Sequence, residues 1–152
     1  MKPEEKLAAM GIELVEAPKP VASYVPGIIE DNWAYVSGQL PFSAGELQYK
    51  GRLGENISEE DGYKAARLCA VNCLLVLKSL LGNLDRVQRI IKLTGFVRSA
   101  PGFTQQPAVV NGASDLLSEV FGEAGKHARS AVGVPELPLG AAVEIELIAK
   151  VN

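Results

Sequence analysis

Residues 127–151, HARSAVGVPELPLGAAVEIELIAKV, decide the fold. Two apolar runs, ARSAVGV and AAVEIELIAKV, flank a connection marked by proline and glycine. In the second run Val143, Ile145, Leu147, Ala149 and Val151 alternate with Glu144, Glu146 and Lys150. That is the period-two pattern of a strand with one buried face. Two charges stand out, Arg129 just before SAVGV and Glu144 inside VEIELIAKV. A charge among apolar residues is costly unless it is paired or used. The residues leave two readings open. One is a cross-strand ion pair between Arg129 and Glu144. The other is an arginine fork for a carboxylate ligand, with a glutamate beside it to orient or deprotonate a water.

Working back along the chain, VQRIIKLTGFVRS (residues 87–99) alternates in the same way. Ile91, Leu93 and Val97 fall on one face of this strand, and Lys92, Thr94 and Arg98 on the other. Between it and the final pair lies PAVVNGASDLLSEVFG, a helix with Pro107 near its start and Gly122 past its end. A longer helix begins at Ser58, whose SEED sequence is close to a capping box, and closes at Gly82. Ala66, Ala70, Cys73, Leu77 and Leu80 form its apolar stripe. Upstream come a glycine-rich loop or small hairpin, PFSAGELQYKGRLGEN, and three strand-like pieces: residues 12–15, 23–31 and 33–41. Asp31-Asn32 makes a turn between the last two. PEEKLAAMG forms a short helix closed at Gly11. The order β-β-β-α-β-α-β-β predicts an α+β fold in one domain spanning residues 1–152, with helices on one face of a sheet and residues 1–11 as an added N-terminal helix.

Composition narrows the function. Of 152 residues 47% are apolar, which suits one domain with a real core. Fifteen Lys and Arg against eighteen Asp and Glu give a net charge of −3, which argues against a nucleic-acid partner. No apolar run approaches the roughly 20 residues needed to span a bilayer, and the N-terminus lacks a secretory apolar region. A cytoplasmic protein without structural disulfides is expected.

Few residues offer chemistry. Cys69 and Cys73 lie one helical turn apart, but no further Cys or His pair completes a zinc site, and core packing explains them. His127, the sole histidine, is expected exposed at a strand entrance. No nucleophile elbow, P-loop or dinucleotide fingerprint is present. Gly38 in SGQLP would let a ligand approach a backbone N–H, although a simple turn accounts for it equally well.

Taken together, YVSGQLP, LDRVQRIIKLTGFVRS, VNGASDLLSEVFG, ARSAVGV and VEIELIAKV resemble the successive signature blocks of the RidA/YjgF family, in its order, from about Tyr24 to Val151. The resemblance implies a chorismate-mutase-like α+β fold, a mixed sheet with two main helices on one face, and a homotrimer with clefts between subunits. It implies hydrolysis of 2-imino or 2-enamino acids, small carboxylates, to 2-keto acids and ammonia, with neither cofactor nor metal. Arg129 matches the arginine that binds the substrate carboxylate, and Glu144 the glutamate that holds the attacking water. Tyr24 matches the tyrosine that closes the pocket, Ser37 and Gly38 the pocket wall, and Asn111 the asparagine of the second helix. Ala131 stands where many members carry cysteine, which excludes thiol chemistry there. The segment before the first shared strand, the residue 42–56 loop and HARS in place of a proline-first version depart from the pattern. A non-catalytic trimeric binder of small carboxylates uses the same Arg129. The older family label, endoribonuclease, is opposed by the acidic balance and the lack of a histidine pair.

Overall fold

A computed structural model describes residues 1–15 and 23–152. The elements run α1 (Pro3–Ala9), β1 (Gly27–Glu30), β2 (Trp33–Gln39), β3 (Phe42–Ser43), β4 (Glu46–Leu47), α2 (Glu59–Leu81), β5 (Val87–Arg98), α3 (Gln106–Phe121), β6 (Ala128–Val134) and β7 (Val143–Val151). Five strands form a sheet in the order β1-β2-β7-β5-β6. Only β5 and β6 pair in parallel, through the α3 crossover; the other neighbours are antiparallel. The fold is therefore α+β with a mixed sheet. β3 and β4 make a separate small hairpin, the outcome expected of the glycine-rich segment.

β7 bears out its alternation: Val143, Ile145, Leu147, Ala149 and Val151 are buried, while Glu144 and Glu146 point to the other face. α2 is capped by Ser58, whose side chain accepts from the Asp61 N–H at 3.1 Å. Six of its twelve buried residues are small (Gly62, Ala65, Ala66, Cys69, Ala70 and Cys73), and at Cys69 and Cys73 the helix lies within hydrogen-bond reach of the sheet. The thiols of Cys69 and Cys73 are fully buried and donate to the carbonyls of Val143 and Ile145. Burial pushes both thiols up, which keeps them as inert packing groups. α3 presses on α2 at Gly112, where a Cβ would meet the Tyr63 carbonyl oxygen at 2.0 Å.

Three expectations need correction. Residues 12–15 form no strand; Ile12 N–H donates to the Leu7 carbonyl at 2.9 Å as the chain leaves α1, and the segment packs on the core without a ladder partner. In β5 a bulge between Ile90 and Lys92 shifts the pattern, so Ile90 rather than Ile91 occupies the core position with Leu93 and Val97. Arg129 and Glu144 are not neighbours, because β5 lies between their strands.

Candidate functional site

The site residues form two groups on opposite faces of the sheet. Arg129 on β6 is in register with Leu93, a fully buried residue on the helix-covered face. Its side chain accordingly reaches α3. Nη1 donates to Asn111 Oδ1 at 2.8 Å and to Ser114 Oγ at 3.1 Å, and Nη2 donates to the Pro107 carbonyl at 3.5 Å. Asn111 and Ser114 are three apart, on one face of the helix. Ala131, two residues beyond Arg129, packs on the core from the same side. A guanidinium carries five N–H donors. Both Nη1 hydrogens and one Nη2 hydrogen are spent on α3, which leaves Nε–H and the second Nη2 hydrogen, one edge of the fork, for another partner. Among the described residues no carboxylate pairs with Arg129, whereas Arg52 and Arg98 share Glu136.

Glu144 is in register with Phe96, and its side chain lies on the face away from the helices. Pairing between β2 and β7 slips between Val36 and Gln39, so Ser37 and Gly38 bulge out of the ladder. The Glu144 carboxylate fills the space beside the bulge: a Cβ on Gly38 would meet Oε2 at 2.5 Å. Ser37 Oγ donates to the Val25 carbonyl at 2.7 Å, and the Ser37 N–H to the Pro26 carbonyl at 2.9 Å. Those bonds tie the segment carrying Tyr24, itself 45% exposed, to the bulge. Beyond the bulge, the buried Asn72 side chain donates to the carbonyls of Leu40 and Phe42 at 2.9 and 3.0 Å and fixes the chain's exit. Among the described residues Glu144 has no hydrogen-bond or ion-pair partner. Burial raises its pKa above the ordinary glutamate value, and the neighbouring Glu146 carboxylate adds to the rise. A half-buried acid with a raised pKa is suited to accept and return a proton.

The structure thus joins Arg129 with Asn111 and Ala131, and Glu144 with Ser37 and Gly38, but keeps the two groups apart. Glu144 is level with Phe96 and hence with Val132, three residues along from Arg129. That makes about 10 Å along the strands and about 10 Å across two of them, before counting the opposite directions of the side chains. Neither a cross-strand ion pair nor a shared site within one chain survives this geometry.

Two further residues belong to the first group. Ser114 lies between Arg129 and His127: its Oγ is 2.9 Å from His127 Nε2, and His127 Nδ1 is 2.6 Å from the Gly125 carbonyl. The expectation of an exposed histidine is corrected, since both ring nitrogens are engaged and the residue is half-buried. The spacing of Ser114 from Asn111 was the available signal for the serine. For His127 the sequence offers only its place two residues before Arg129.

A family model described as "YjgF/chorismate mutase-like, putative endoribonuclease" matches residues 4–151. The chain belongs to the RidA/YjgF family. Similar members include Protein TCP17 of Trypanosoma cruzi, 45% identical over 147 residues, covering 96% of this chain and 92% of that one. The crystal structure of Atu1372 from Agrobacterium tumefaciens matches with 44% identity and a TM-score of 0.93 over 99% of this chain and 92% of that chain. A more distant member, 28% identical with 90% and 91% coverage, is the 2-iminobutanoate/2-iminopropanoate deaminase of Dermatophagoides farinae. The YjgF-like fold expected from the signature blocks is the one observed. Among the described residues no helix is long and apolar enough to cross a membrane.

Proposed function

We propose that the chain is a hydrolytic deaminase of 2-imino and 2-enamino acids, working as a homotrimer with its clefts at subunit boundaries. The observation that carries this is the state of Arg129: a guanidinium held only by neutral acceptors, with Nε unpartnered among the described residues and Nη2 engaged only by the Pro107 carbonyl at 3.5 Å. The Nε–Nη2 edge matches a carboxylate through two parallel, charge-assisted hydrogen bonds. A family member named as an iminobutanoate deaminase acts on such a carboxylate.

The separation of Arg129 from Glu144 supports the assembly. One subunit cannot grip a molecule of four or so heavy chain atoms with both groups. A second copy docked head to tail would set the Glu144 group of one subunit against the Arg129 group of the next. Head-to-tail contacts that close generate rings, and the family resemblance implies three members. The helix-free face carries Ile28, Trp33, Tyr35 and Val132, all more than a third exposed, and β6 is a free sheet edge. Monomers rarely leave such a surface uncovered.

In the proposed cleft Arg129 holds the carboxylate and Asn111 holds Arg129. Glu144 orients a water at the imine carbon, which is electrophilic once its nitrogen is protonated. As the C–O bond forms, Glu144 takes a proton from the water. The resulting amino alcohol collapses: Glu144 passes its proton to nitrogen, the C–N bond breaks as the hydroxyl gives up its proton to the Glu144 carboxylate, and ammonia and the 2-keto acid leave. The Gly38 N–H, at the bulge beside Glu144, is assigned to the developing oxygen. Holding water and carbon together supplies most of the acceleration.

The test generates an imino acid with an amino-acid oxidase in the presence of semicarbazide and asks whether the protein suppresses semicarbazone formation. Arg129→Ala is expected to cut kcat/KM about 10–150-fold, the value of a charge-assisted contact. Arg129→Lys should recover little, because a point charge does not match the fork. Full activity in the alanine variant contradicts the assignment. Keto-acid binding without turnover in the parent protein would leave a carboxylate binder.

A further inference from the structure

We infer that Ser114 and His127 are positioning residues that aim the Nε–Nη2 edge of Arg129 at its ligand, an inference that rests on the deaminase reading only for the identity of the carboxylate. Three hydrogen bonds run in one direction, from Arg129 through Ser114 and His127 to the Gly125 carbonyl. The Gly125 carbonyl can only accept, so His127 Nδ1 carries the proton that lies on that 2.6 Å contact. In the neutral ring Nε2 is then an acceptor, and the partner 2.9 Å away, Ser114 Oγ, must donate its hydroxyl proton to it. That fixes the rotation of the hydroxyl and turns an oxygen lone pair toward Arg129 Nη1, 3.1 Å away. Asn111 Oδ1 takes the second Nη1 hydrogen at 2.8 Å. With both Nη1 hydrogens committed and one Nη2 hydrogen on the Pro107 carbonyl at 3.5 Å, the planar guanidinium has one orientation, and Nε–H with the second Nη2 hydrogen is the edge presented to a ligand.

Without the imidazole, the Ser114 hydroxyl is free to turn to the carbonyl one helical turn back, a habit of serine inside helices. Nη1 would lose one of its two fixed partners. An arginine has several rotatable bonds, so the ligand would then bear the cost of ordering the fork. The consequence falls on binding rather than on the proton transfer, which the proposed cleft assigns to Glu144 of the neighbouring subunit. His127 touches neither substrate nor reacting atoms in this arrangement; it acts through Ser114.

The experiment has a kinetic and a spectroscopic arm. His127→Ala and Ser114→Ala should each raise KM for the imino acid, and the Kd for 2-oxobutanoate, about 3–10-fold, with kcat within about twofold of the parent. His127→Gln, whose amide oxygen can accept from Ser114, should restore much of the loss. An unchanged KM in folded His127→Ala overturns the inference. So does a fall in kcat at constant KM, which would put the histidine in the chemistry. Because His127 is the sole histidine, nitrogen-15 labelling gives one imidazole to observe. It should show a protonated Nδ1 and an unprotonated, hydrogen-bonded Nε2. Arg129→Ala should shift the Nε2 signal, and the same change made in a Ser114→Ala background should not. This arm needs neither turnover nor ligand. If no imino acid is hydrolysed, the deaminase reading falls, and the nitrogen signals still decide the positioning claim. A protonated Nε2, or a signal indifferent to Arg129, refutes it.

Discussion

On the helix-covered face of the sheet, Ile90, Leu93, Val97, Ile145 and Leu147 are sealed, exposed by no more than 2%. On the opposite face Phe96, Glu144, Glu146 and Ile148 are half-buried, and Tyr35 is 46% exposed. Two glycines show what this difference means. At Gly112 a Cβ would strike the Tyr63 backbone carbonyl, which two packed helices hold in place; at Gly38 it would strike the Glu144 carboxylate, the end of a movable side chain. The closed face holds the fold together through backbone and core that cannot yield. The open face carries a bulge, an unpartnered acid and apolar surface, arrangements that cost stability in an isolated subunit and suit a site completed by a neighbour.

The comparison can be broken first at its rigid side. Gly112→Ala should abolish folding or lower Tm severely, because a 2.0 Å approach to backbone can be relieved only by parting α2 from α3. A thermal melt near that of the parent would show that the helix interface gives more readily than its spacing implies. On the open face, Glu144→Gln keeps shape while removing the base. Turnover of one imino acid should fall about 10²–10⁴-fold if Glu144 transfers the proton. Glu146→Gln, two residues along on the same face, should be near neutral. The reverse pattern would move the chemistry to Glu146.

A smaller effect sharpens the same contrast. Burial raises the Glu144 pKa in the folded protein, and Glu146 adds to it. A raised carboxyl favours the folded state below its unfolded pKa, and that advantage disappears as the pH rises through the folded pKa. At neutral pH the ionised group is therefore a burden that glutamine relieves. Glu144→Gln should melt slightly above the parent at pH 7, and the difference should shrink as the pH falls toward 4. A variant less stable than the parent at pH 7 would mean that the carboxylate has a stabilising partner in the assembled protein.

Much of this was legible in the sequence for a physical reason. The alternation in β7 and the apolar stripe of α2 report burial directly, and burial follows the period of the element. The lone pieces failed where pairing decides. Residues 12–15 have strand-like composition but no ladder to join. The bulge at Ile90–Lys92 has no glycine to announce it. The relation of Arg129 to Glu144 was out of reach, since alternation tells which residues share a face within one strand but not which strand intervenes. β6 is exposed to some degree on both faces, so it lacks even that internal guide. Ser37 and Gly38 could be singled out by residue type, yet the bulge that sets them beside Glu144 appears only once β7 is paired.

We propose that each working site takes Arg129 from one subunit and Glu144 from another. Arg129→Ala and Glu144→Gln, each well below parental activity alone, can be unfolded together in equal amounts, refolded and assayed, at subsaturating imino acid, against each variant refolded by itself. In a ring that mixes at random, about a quarter of the boundaries combine an intact Arg129 with an intact Glu144 across the interface. Recovery of about 25% of parental turnover is the predicted result. Activity no higher than that of the separate variants, in samples shown by tagged subunits to have mixed, would contradict a shared site.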